Sequence, residues 1–108
     1  MNDDDRITHR QLGRLTDGRD QPAAHAIENA ARGLNAAESA IRQTAAMIRA
    51  KLAEIDQRLD HGLSLNDLGE LQRTPADLDR AVTLRQHHWK VLGALLTEAE
   101  LDSLRPAR

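Results

Sequence analysis

The sequence predicts an all-α fold: an antiparallel hairpin of two long, coiled-coil-like helices with short flanking helices, completed into a helical bundle by dimerisation. Three observations predict it. Between Ala24 and Leu59 the heptad phase never slips: Ala24, Ala31, Glu38, Ala45, Leu52 and Leu59 fall at one seam position, and Ile27, Leu34, Ile41, Ile48 and Ile55 at the other. Leu78, Ala81, Val82, Arg85, His88, Trp89, Leu92, Leu95, Leu96 and Ala99 then form a second stripe, broad enough for a bundle helix rather than a narrow seam. Finally, the chain has one Trp, no Phe and no Tyr, and no cluster of β-branched residues from which a sheet could be built.

The elements follow in order along a single helical domain of residues 1–108. Residues 1–6 are acidic and polar and are expected to fray. Thr8 with Gln11 three positions on is a capping box, so a short helix is predicted over 8–16 with Ile7, Leu12 and Leu15 on its apolar side, ended by Asp17-Gly18. Pro22, preceded by Asp20 and Gln21, opens a long helix over 22–60 with Gly62 as its stop. Gly33-Leu34-Asn35 reads equally as a stop and a new cap, yet a broken helix would have no reason to keep the heptad phase, and continuity is predicted at a cost of about 1 kcal/mol for the glycine. Ser64 caps a short helix over 64–72, carrying Leu65, Leu68 and Leu71. Thr74-Pro75-Ala76-Asp77 signals the start of a second long helix over 75–104, with Thr97-Glu98-Ala99-Glu100 as a capping box at which it can break, and Pro106 as its stop.

These boundaries set a register. If Leu59 faces Leu78, then Glu38 faces Ala99, and the second helix covers the first only back to Gly33. The Ala-rich start, with Ala24, Ile27 and Ala31, then overhangs by about 15 Å at about 1.5 Å per residue. The helix around Leu12 and Leu15, a second copy, or another protein must cover it. The expected partner or dimer interface is therefore Ala24, Ile27, Ala31, Leu34, Glu38, Ile41, Arg85 and Trp89. In the same register Glu38 and Arg85 stand about 20 Å apart, so Glu38 is expected to pair with Arg42 one turn on.

Composition excludes several classes of function. A net charge of −2 gives the whole molecule no general attraction for nucleic acid or anionic lipid. Without cysteine there is no disulfide, thiolate metal site or thiol catalysis. No leader pattern precedes the helices and no run approaches membrane-spanning length, so a cytoplasmic protein is expected. Arginine greatly outnumbers lysine, which is present only at positions 51 and 90, as in a GC-rich bacterial or phage coding genome. Histidines 9, 25, 61, 87 and 88 contain no pair at the spacing of a bundle metal site, and neighbouring His87 and His88 point about 100° apart. No phosphate-binding glycine loop, nucleophile elbow or cofactor motif is present.

Two readings of function remain. The preferred one is a non-catalytic protein–protein interaction module, regulatory or adaptor in character, forming a homodimer or holding a protein partner on a bundle face. The alternative is a small nucleic-acid-binding regulator using Arg6, Arg10, Arg14 and Arg19, of which the first three share one helical face.

Overall fold

The computed structural model describes residues 5–58 and 65–105, and within 65–74 the backbone alone. Among these residues there are four helices: α1 (His9–Thr16), α2 (Gln21–Arg58), α3 (Leu65–Leu95) and α4 (Glu98–Ser103). The molecule is elongated, 62 × 22 × 21 Å. The expected stops at Gly62 and Pro106, the cap at Ser64 and most of the frayed tail lie outside the described residues, as does any side-chain account of Leu65, Leu68 and Leu71.

Local signals act where hydrogen-bond chemistry requires them. Thr8 caps α1 with a reciprocal box: its hydroxyl accepts from the Gln11 backbone N–H, and the Gln11 side chain accepts from the Thr8 N–H. Gly18 takes φ +72°, the left-handed conformation that glycine adopts most readily, and so reverses the chain after α1. Asp20 caps α2, its carboxylate accepting from the Ala23 N–H at 3.0 Å. Thr97 with Glu100 makes a second complete box, which separates α4 from α3.

α2 is continuous through Gly33, and the reason for the glycine is visible. The His88 imidazole of α3 lies against α2 there, in space that a β-carbon at this position would occupy.

α3 departs from expectation. It begins at Leu65 and contains Pro75, so the predicted helix at 64–72 and its successor at 75 are one element. Proline inside a helix removes one backbone hydrogen bond and does not by itself end the helix when packing on either side supports it. The early start moves the register. Gly33 lies against His88 and Glu38 against Arg85, with the two helices antiparallel. Glu38 and Arg85 are therefore bonded at 2.9 Å, not about 20 Å apart.

The same shift removes the overhang. α3 reaches back along α2 so that Leu92 and Leu96 pack with Ile27, Ala30, Ala31 and Leu34, and Ile7, Leu12 and Leu15 close the other side. Ile7, Ile27, Leu34 and Leu92 are fully buried, each contributing about 1.5–3 kcal/mol over exposure. Of the three covers considered for the Ala-rich end, the folded-back N-terminal helix is the one observed, aided by α3 and by Leu104 just beyond α4. No described helix is long and apolar enough to cross a membrane.

Candidate functional site

The two ends of the hairpin differ sharply. At the end holding α1 and α4 the core is closed by polar clasps. Asn35, itself buried, binds the fully buried Ile7 on both sides: its Oδ1 accepts from the Ile7 N–H at 3.1 Å and its Nδ2 donates to the Ile7 carbonyl at 3.0 Å. The backbone donor and acceptor of a residue outside any helix or sheet are thereby both satisfied.

Glu38 forms the second clasp. Arg6 donates to it through Nε, at 2.7 Å to Oε1 and 2.9 Å to Oε2, with its Nη2 2.7 Å from Oε2 in the ion pair, and Arg85 adds a bond from Nε at 2.9 Å. Arg6 also donates to the Leu104 carbonyl at 3.2 Å, so one guanidinium ties the N-terminal segment to α2 and to the end of α4. Burial pushes the Glu38 carboxyl up, but the hydrogen bonds from Arg6 and Arg85 and the charges behind them outweigh it and hold the group below its ordinary range. The carboxylate stays ionised at neutral pH with its acceptor sites occupied, which suits a clasp. Arg42, the expected partner of Glu38, is instead exposed at the edge of a hollow of about 280 Å³ shared with Arg6, Gln11, Ser103 and Arg105.

Arg19 is the third clasp. It donates to the Leu15 carbonyl at 2.7 Å and the Leu95 carbonyl at 3.3 Å, near the C-terminal ends of α1 and α3, and to both oxygens of Glu100 at 2.8 and 3.0 Å. A cation is favoured at a helix C-terminus, where carbonyls lack helical donors. The Glu100 carboxyl is lowered chiefly by the Thr97 backbone N–H that it caps, with Arg19 next.

These placements redistribute the expected site residues. Ile27, Ala31 and Leu34 are core, and Trp89 packs half-buried against them; Ala24 is half-buried near the start of α2. Within the chain they face its own helices, which is where their apolar character is spent. Of the arginine cluster, Arg6 and Arg19 are engaged in the clasps, leaving Arg10 and Arg14 exposed on α1. Among the described residues no three His, Asp or Glu side chains converge as a metal site.

The far half of the hairpin is built differently. On α2 no residue beyond Glu38 is fully buried: Ile41, Ile48 and Ile55 are half-covered, Leu52 is 51% exposed and Met47 67%. On α3 Leu84 is 47% exposed. Gly33, Ala36, Ala37, Ala40 and Thr44 of α2 and Asp77, Arg80, Ala81, Leu84 and His88 of α3 enclose an open groove of about 430 Å³ between the helices. Its floor is small and apolar, and Asp77 and Arg80 sit at its rim. Sequence reasoning missed this groove because it placed the uncovered stretch at the wrong end. The available signal was the charge-poor outer face of α2, where Ala36, Gln43, Ala46, Met47 and Ala50 are all exposed although a solvated helix face is normally polar.

Comparison of the chain with protein-family models, with curated proteins and with solved structures found no match.

Proposed function

We propose that this chain is a non-catalytic protein–protein interaction module, regulatory or adaptor in character, which holds a partner against the open far half of its hairpin. One observation carries the reading. The apolar heptads run on to Ile55, but full burial on α2 stops at Glu38. A two-helix layer cannot cover both sides of its own seam, and a third element would supply what is absent. A helix laid along the groove is the natural occupant, since alanines on the floor allow close approach. Self-association into a bundle of four long helices is one form of this module. The nucleic-acid reading has less support, because two of its four arginines are engaged within the fold.

Site-specific photo-crosslinking in the native cell tests the proposal. A photoreactive residue replacing Met47, Leu52 or Leu84 is expected to give discrete protein adducts, and one replacing exposed Arg10 or Gln86 is not. Equal labelling at all five positions, or none at the first three, would overturn it.

A further inference from the structure

The groove occupant can be named from the chemistry of its rim. Asp77 and Arg80 are exposed, lie three residues apart on the same wall, and make no ion pair among the described residues. An acid and a base on one rim form the charge pattern of a surface that recognises itself, because a two-fold axis between them sets each against its opposite in the other copy. We propose that the groove binds a second copy of this chain, face to face, about a two-fold axis perpendicular to the helices.

The position of that axis follows from the register. Gly33 is level with His88 and Glu38 with Arg85, so the midpoint between Asp77 and Arg80 is level with about Gln43 on α2. Rotation about this point places Asp77 opposite Arg80 of the second copy and Arg80 opposite its Asp77. The same operation, with nothing further adjusted, brings Met47 level with Ser39 and Ala40 of the other copy. There Ala36 and Ala40 leave room for its flexible thioether. The axis set by the charges therefore also accommodates Met47.

The contact is small. From Ala36 to Ala50, centred on Gln43, α2 runs about 21 Å at 1.5 Å per residue, and the molecule is 22 Å across. The face is thus on the order of 450 Å² per copy in projection, at the lower end of specific interfaces, as in weak and transient pairings. The inference rests on the interaction-module reading and commits it to one partner.

Sedimentation equilibrium on the full chain, carried from low to high micromolar concentration so that a weak pairing is reached, tests it. The wild-type mass is expected to rise from 12.0 kDa toward twice that value. M47E and D77R, both at exposed positions and checked for native circular dichroism, are expected to weaken association at least roughly tenfold, and the charge swap D77R/R80D to restore it. A wild-type mass of 12.0 kDa throughout, or a swap as weak as D77R alone, overturns the second-copy assignment. If that happens while crosslinking at Met47 still captures a different protein, the interaction module stands without its self-pairing. Failure of both experiments removes both.

Discussion

Replacing Gly33 with alanine tests the packing of α2 on α3 through a change of sign. In a helix interior alanine is better than glycine by about 1 kcal/mol, so G33A on an uncrowded face would stabilise the chain. Here the new methyl would stand 2.6 Å from Nδ1 of His88 and closer still to the rest of its ring. Overpacking of this kind costs about 1–3 kcal/mol, and because His88 is only half-buried its ring can yield in part. The net expectation for G33A is a loss of between about zero and about 2 kcal/mol. In an H88A background the ring is gone and the same substitution should stabilise by about 1 kcal/mol. The coupling between the two sites is then about 1–3 kcal/mol, well above the scatter of additive pairs. Urea and thermal unfolding of the four proteins, followed by far-UV circular dichroism at low micromolar concentration to keep association out of the signal, measures it. Each 1 kcal/mol should move Tm by about 4 °C in a chain of this size. If G33A stabilises equally with and without His88, the close approach described for these helices is refuted.

Two further expectations concern the clasps. E38Q should cost about 1–3 kcal/mol at neutral pH, discounted from a fully buried pair because Arg85 is partly exposed. The native carboxyl lies below its ordinary 4.5, so its contribution is complete above that value and lost as pH falls from 4.5 through the native pKa. The stability gap between wild type and E38Q should therefore narrow on acidification in that window, and a gap independent of pH contradicts the clasp. N35A should leave the Ile7 N–H and carbonyl buried without partners and cost about 2–6 kcal/mol, at about 1–3 per group. It should also accelerate hydrogen exchange at Ile7, and a loss below about 1 kcal/mol would show that Asn35 does not secure the N-terminal segment.

Much of the architecture is legible in the sequence because it is written in local terms. The unbroken phase from Ala24 to Ile55 and the boxes at Thr8 and Thr97 depend on residues within a turn or two of each other, and their chemistry does not wait for the rest of the fold. The register is a different kind of quantity. It hinged on whether Pro75 opens a helix or sits inside one, and helix signals at Thr74-Pro75 outweighed a longer-range clue. That clue was present: Glu38 is the lone acid of one seam and Arg85 the lone arginine of the facing stripe, and setting them opposite gives the observed alignment. Gly33 offered another, since a glycine retained in an unbroken heptad run marks close approach by a neighbour. Arg6 and Arg19 were harder to place. Their carboxylate partners lie 32 and 81 residues away, so a row of arginines that looked like a surface strip is consumed by the fold. The open groove was hidden by the register error, which moved the uncovered seam to the opposite end.

The ionic bridge joining Arg6, Glu38 and Arg85 acts mechanically as a transverse pin dividing a head from a shaft. Everything that fixes the path of the chain ends, including Asn35, Arg19, α1 and α4, lies in the head. Among the described residues the shaft carries the repeating seam and none of the clasps, so its length is an independent variable. Seven residues added to α2 and seven added opposite them in α3 would extend its reach by about 10.5 Å while leaving every head contact in place. A molecule divided in this way can change how far it reaches without changing how it folds.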